Sequence, residues 1–378
     1  MNLSKFSYYE YQDTDLYWNL EEFKLNKINL IVGNNAAGKT RTLNVIAGLA
    51  RILKFPQLTV QNGFYHSSIL NKEKNMYDYT FELKNNSVLK EILLINGNLY
   101  VERTENGSGR IRNSNNDFVK FKIPFNQLAV SRRDEIQFPY LEDLFLWATS
   151  VKHIRFAHDE EKTTLAAKDA NIEMQNNPRL AESTKVLEIF NRGMAEFKSE
   201  FTDNIIQDMN KIGYSLESIS MEKLDNMIFL PQAEIFALSV KEKDRNARLN
   251  QILMSEGMFR ALAILIHFNY YLLKKTETTI LVDDIGEGLD YDRSSCLVKL
   301  LIKKAKDNNF QLLMSTNNKF IMNNTDLKYW QIITRKCSSV GIKNIHNSKQ
   351  LFKEFKYTGL DNFDFYSGGF YKAKIDII

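Results

Sequence analysis

One stretch constrains this chain more than any other, the run from Ile28 to Ala47. Ile28-Asn-Leu-Ile-Val32 reads as a buried strand. It runs into Gly33-x-x-x-x-Gly38-Lys39-Thr40, and a helix-period segment follows with Leu43, Ile46, Ala47, Ala50 and Leu53 on one side. Strand, glycine loop and helix together are the context that a P-loop requires. The glycines let backbone N–H groups curl around phosphate, and the helix start adds partial positive charge. Lys39 has the reach for the β- and γ-phosphates, and Thr40 can place its hydroxyl on Mg²⁺. Asn34, Asn35, Ala36, Ala37 and Arg41 complete the candidate cradle. A chance glycine turn before a helix would not carry all these positions in this order.

At 378 residues the chain has room for two to three domain-sized units. Hydrophobic content of 44% and charged content of 25% are those of an ordinary globular protein. The longest apolar stretch, around Ala261 to Phe268, falls short of the ~20 residues of a membrane span. The opening MNLSKFSYYEYQD has early acidic and polar residues and no apolar centre, so no signal peptide is expected. Cys296 and Cys337 stand far apart without a CxxC, which fits a reducing cytoplasm. A net charge of +4 permits nucleic-acid contact without demanding it.

Along the chain, residues 1–150 read as a lobe with the P-loop and an antiparallel section. Tyr77-Asp-Tyr-Thr-Phe-Glu-Leu83 and Glu91-Ile-Leu-Leu-Ile95 alternate as strands do, with turns at Gly97 and Gly107 to Gly109. Residues 151–225 change character: after Pro178, apolar residues at Val186, Phe190, Met194, Phe197, Phe201, Ile205, Met209 and Ile212 predict one amphipathic helix of about eight turns. It either covers the core or forms a short arm. Residues 226–345 return to α/β character, with an apolar helix from Ala261 to Leu273, in which His267 reads as a core histidine. Residues 346–378 form a tail rich in Phe and Tyr that packs on the body or docks a partner.

A distant P-loop needs a second acid-bearing strand, and Ile280-Leu-Val-Asp283-Asp284 supplies one. Asp283 is expected to support the Mg²⁺ shell, and Asp284 to orient or deprotonate the attacking water. Four further features resemble ABC-type ATPases. Ser255-Glu256-Gly257 opens a helix ahead of Asp283 as their signature motif does. Gly288-Leu289-Asp290 follows the acids like a D-loop, and Asn317 ends the next strand at the switch position. Asn35 inside the glycine loop matches the form common in DNA-repair and chromosome-structuring ABC heads. The resemblance implies an α/β P-loop NTPase fold of the ABC-head kind, a mixed sheet plus an antiparallel section with an α-helical insertion. It also implies ATP and Mg²⁺ as ligands. Ser255 and Gly257 would meet ATP on a second subunit, and two heads would close around nucleotide as a homodimer or higher oligomer. The chain departs from the family pattern in three places. The family's catalytic Glu is Asp284, one methylene shorter, which implies slow hydrolysis. Its switch His is Asn317, which can bond a phosphate but take no proton. Its Q-loop has three candidates here: Gln127, Arg132 and Asp134.

The span from Lys39 to Ser255 leaves room for an insertion that transporter subunits generally lack. The switch residue, the following Lys319-Phe-Ile-Met-Asn323 and the tail resemble stand-alone bacterial ATPases of anti-phage systems. These include the ATPase subunits of Septu and PARIS and the head of the overcoming-lysogenisation-defect (OLD) proteins. That resemblance implies a cytoplasmic ATPase that controls a separate effector, a nuclease or toxin, because position 378 follows Asn317 too soon for a fused nuclease domain. The alternatives are a DNA-repair or SMC-like ATPase that acts on DNA directly and, further off, a transporter nucleotide-binding subunit.

Overall fold

The apolar runs that lack alternation lie side by side in the computed structural model, which describes residues 1–55, 62–155, 160–163, 165–167, 185–224 and 235–372. The chain divides into two units. The first comprises Met1–His153, Glu277–Asp284 and Asn309–Ile378. Its centre is a run of parallel strands, Thr278–Val282, Phe310–Thr316, Ile28–Val32 and Trp330–Lys336, in that order. Every residue of the first three is buried. Parallel strands covered on both faces need continuous apolar runs, which explains the missing alternation. Two polar side chains inside this core are satisfied by neighbouring backbone. Gln311 exchanges two hydrogen bonds with Leu3, at 2.9 and 2.7 Å. Asn29 exchanges two with Asn26, also at 2.9 and 2.7 Å.

Beyond Trp330–Lys336 the sheet passes through Ser339–Asn344 and Trp18–Lys24 to Asn2–Glu10. It then continues as an antiparallel meander from Gly63–Leu70 to Phe118–Lys122. Here one face alone is packed, and alternation returns: Tyr77, Tyr79, Phe81 and Leu83 are buried while the residues between them are half-buried. Helix Lys39–Lys54 buries Leu43, Ile46, Leu49, Ala50 and Leu53 in the same core, beside helix Tyr140–Ser150. The tail packs on the body through Asn362 Nδ2, which donates to the Thr325 carbonyl at 2.9 Å, and the Phe363 N–H, which donates to Asn323 Oδ1 at 2.7 Å, and it has a small core of its own. Phe365 of helix Asn362–Ser367 is fully buried against Phe352 and Phe355, with ring centroids 4.9 and 4.7 Å away.

The second unit comprises Ile154–Thr276 and Ile285–Asn308. Helix Glu256–Leu273 is buried around nearly its whole circumference, as an all-round apolar helix must be. Fully buried His267 sits on it, with Nδ1 2.8 Å from the Ala263 carbonyl oxygen. The single straight helix expected after residue 185 is corrected by the structure. Val186–Lys211 is broken at Lys198, whose φ of 53° and ψ of −132° are not helical. Phe190 and Phe201 would stand about 16 Å apart along a straight helix at 1.5 Å per residue. Their ring centroids are 5.8 Å apart, so the segment doubles back on itself. Pro178 lies outside the described residues. Buried Asp208, from the second arm of this hairpin, is paired with Lys304 at 2.6 Å and accepts from Asn269 at 2.9 Å. A small antiparallel sheet that the sequence reading did not anticipate, including Leu216–Lys223 and Ile235–Glu242, completes the unit. Among the described residues no helix is long and apolar enough to cross a membrane.

Candidate functional site

In the first unit the glycine loop joins strand Ile28–Val32 to helix Lys39–Lys54. Gly38 precedes that helix with φ of +108°, a conformation that side-chain-bearing residues rarely adopt. Lys39, only 7% exposed, folds back over the loop. Its Nζ donates to the carbonyl oxygens of Gly33 at 2.9 Å and Asn34 at 3.1 Å. Burial lowers the pKa of this ammonium, opposed by the attraction of Asp284 and Asp283.

The two acids lie where strand Thr278–Val282 ends. Thr40 Oγ1 donates to Asp283 Oδ1 at 3.2 Å, so the P-loop hydroxyl and the strand-end carboxylate meet across 243 positions of sequence. Fully buried Ser315 joins both acids: its hydroxyl donates to Asp283 and accepts from the Asp284 N–H at 2.9 Å. Asp284 turns the chain there with φ of +48°, which an acid tolerates better than most residues. Asn317 sits against the glycine loop, its Nδ2 donating to Asn35 Oδ1 at 2.7 Å. Among the described residues no group of three or more His, Cys, Asp or Glu could hold a metal ion alone. A hydroxyl beside one carboxylate suits Mg²⁺, which prefers oxygen ligands and keeps places for water and phosphate.

Several contacts around the loop escaped the sequence reading. Arg41 pairs with Glu10 and lies over the Trp18 ring, 4.4 Å from its centroid. Arg335 Nη1 reaches the Ala36 carbonyl oxygen at 3.5 Å. The Tyr366 hydroxyl, from the tail, donates to Asn34 Oδ1 at 2.6 Å. These contacts join positions far apart in sequence, and no local pattern announces them. The three Q-loop candidates have local roles. Arg132 lies over the Phe121 ring at 5.5 Å, and Asp134 accepts from the N–H groups of Ile136 and Gln137 at 2.9 and 2.8 Å. Gln127 closes a turn through its N–H to the Pro124 carbonyl at 3.2 Å.

The second unit holds the signature-like segment. Ser255 caps helix Glu256–Leu273, its side chain accepting from the Met258 N–H at 3.3 Å. Arg260 holds the Glu256 carboxylate at 2.7 Å and also pairs with Glu287. Gly257 packs against backbone: a Cβ there would stand 2.1 Å from the Gly288 carbonyl oxygen, so the helix start and the following loop fit only without a side chain. Asp290 caps helix Tyr291–Asp307, accepting from the Arg293 N–H at 2.9 Å and pairing with its guanidinium at 2.7 Å. The Arg293 N–H bond is the main cause of the lowered pKa of Asp290.

A glycine loop on a parallel strand, its threonine bonded to an acid at the end of the strand two places away in the same sheet, defines a P-loop NTPase core. Residues 28–323 match the family model described as "AAA domain, putative AbiEii toxin, Type IV TA system", and the chain belongs to that family of ATPases. Its fold is that of an SMC-type head. One similar solved structure is an Smc head bound to the C-winged helix domain of ScpA. It has 12% identity and a TM-score of 0.53, covering 91% of this chain and 97% of that one. Another is an Smc head with an extended coiled coil bound to the C-terminal domain of ScpA, derived from Pyrococcus furiosus. It has 10% identity and a TM-score of 0.50, covering 94% and 99%. The sequence finds no match among curated proteins. The motif-based expectation of an ABC-type ATPase head of the SMC-like and OLD-like group thus holds at the level of family and fold.

Proposed function

We propose that this chain binds and slowly hydrolyses ATP, closes head-to-head with a second copy around the nucleotide, and so controls a separate effector. The bond between Thr40 and Asp283, with Ser315 holding the second acid, is the observation that carries the reading. The loop N–H groups and Lys39 bind the phosphates, and Arg41 lies beside them. Thr40 and Asp283 would hold Mg²⁺, which offsets phosphate charge. Asp284 orients or deprotonates water, and Asn317 bonds the terminal phosphate. Ser255 and Gly257 offer the start of helix Glu256–Leu273 to a phosphate held by the second copy, with Asp290 nearby in the same closure. The grip of Arg260 supports this role, because its guanidinium pairs with Glu256 and Glu287 and so lessens the repulsion these acids would exert on that phosphate.

The domain assignment is part of this reading: ATPase segments at 1–150 and 226–345, a helical insertion at 151–225 and a tail at 346–378. The effector reading, a nuclease or toxin in cytoplasmic anti-phage defence, rests on resemblance. Two Smc heads of this fold were solved with ScpA domains bound, which supports a partner polypeptide here. DNA-stimulated hydrolysis by the isolated chain would instead favour direct action on DNA.

The test mixes two variants. Lys39→Ala should abolish ATP binding, and Ser255→Arg should leave binding intact but block closure. A mixed dimer keeps one site with an intact loop and an intact signature, so ATP-dependent dimerisation and turnover should partly return. Dimerisation insensitive to Ser255→Arg would refute the head-to-head arrangement, and ATP binding insensitive to Lys39→Ala would refute the site.

A further inference from the structure

Both asparagines of the glycine loop are held by side chains from outside it. Asn35 accepts through Oδ1 from Asn317, and Asn34 accepts through Oδ1 from the hydroxyl of Tyr366. An amide whose oxygen is engaged keeps its N–H₂ end for an acceptor, and a phosphate offers acceptors only. The Asn34 backbone carbonyl also touches Lys39 Nζ at 3.1 Å, the ammonium that serves the β- and γ-phosphates in a P-loop. Tyr366 is itself fixed from several sides. Its ring stacks on Tyr371 with centroids 5.4 Å apart and planes 11° apart. Its helix is tied to the segment after the switch residue: Asn362 Nδ2 donates to the Thr325 carbonyl at 2.9 Å, and the Phe363 N–H donates to Asn323 Oδ1 at 2.7 Å.

We propose that Tyr366 is a positioning residue for the terminal phosphate: its phenol turns the Asn34 amide so that the N–H₂ end faces the γ-phosphate of bound ATP. The tail thereby takes part in telling ATP from ADP. This inference rests on the nucleotide-site reading above. Tyr366→Phe removes the hydroxyl and keeps the ring on Tyr371. A single net hydrogen bond sets the scale, so ATP affinity should fall about fivefold while ADP affinity stays within about twofold. Asn34→Asp should weaken ATP further, because a carboxylate offers no donor and repels phosphate. The experiment is calorimetric titration of full-length wild type, Tyr366→Phe, Asn34→Asp and Lys39→Ala with ATP and with ADP, with melting temperatures recorded alongside. An unchanged ATP-to-ADP ratio in Tyr366→Phe, whether both affinities hold or both fall together, overturns the positioning role. If Lys39→Ala still loses nucleotide in that case, the site reading stands and this inference alone fails. A wild-type chain that binds neither nucleotide overturns both.

Discussion

Ser315 is where stability and chemistry of the site can be separated by one substitution. Ser315→Ala deletes a hydroxyl that is fully buried, donates to Asp283 and accepts from the Asp284 N–H. A hydrogen bond to a charged group contributes about 1.5–3 kcal/mol, and a buried donor deprived of its acceptor costs about 1–3 kcal/mol. Both acids are half-buried, so water can take over part of the loss. The expected destabilisation is about 2 kcal/mol, or about 4–8 °C in melting temperature for a unit of this size. The functional effect should exceed the structural one. With Asp283 free to rotate away from Thr40, the magnesium concentration for half-maximal ATP turnover should rise several-fold at temperatures where the variant is folded. Ser315→Cys, nearly isosteric but a weak donor, should fall between. The assays are calorimetric melting without nucleotide and a magnesium titration of phosphate release. Unchanged melting and an unchanged magnesium titration in Ser315→Ala would show that this hydroxyl does not hold Asp283, and the site geometry would have to be rebuilt.

Two further outcomes are expected. Asp284→Asn keeps the shape and removes the base, so turnover should fall about 10²–10⁴-fold while ATP remains bound; turnover within twofold of wild type, read by phosphate release, would assign the water to another group. Gly257→Ala places a methyl 2.1 Å from the Gly288 carbonyl oxygen, which forces backbone to move. Overpacking of this kind costs about 1–3 kcal/mol, and ATP-dependent dimerisation measured by light scattering should be lost while ATP binding persists; a variant that dimerises normally would remove this contact from the argument.

What the sequence disclosed and what it hid divide along physical lines. The P-loop was legible because its chemistry needs particular residue types at fixed, contiguous spacing. The parallel strands were legible because burial on both faces leaves an unbroken apolar run, as in Phe310–Thr316. The break at Lys198 was hidden because Met194, Phe197, Phe201 and Ile205 keep the helical spacing straight through it. An amphipathic pattern records which residues face inward, and two arms of a hairpin packed on each other satisfy the same pattern as one long helix. Gly193 marks the fold-back: a Cβ there would stand 2.3 Å from the Phe201 ring, so the arms close only over a glycine. The Tyr366 contact was hidden for a different reason. It joins positions 332 apart, and a tyrosine in an aromatic tail carries no spacing rule to tie it to a loop asparagine. Ser315 stands between these cases. It lies on a strand that was read correctly, one position after Met314 and two before the switch residue. Register against Thr278–Val282 was the missing fact needed to bring its hydroxyl to the acids. Once parallel pairing sets Val282 opposite Met314, Asp283 falls opposite Ser315, and the bond that organises the site follows from register alone.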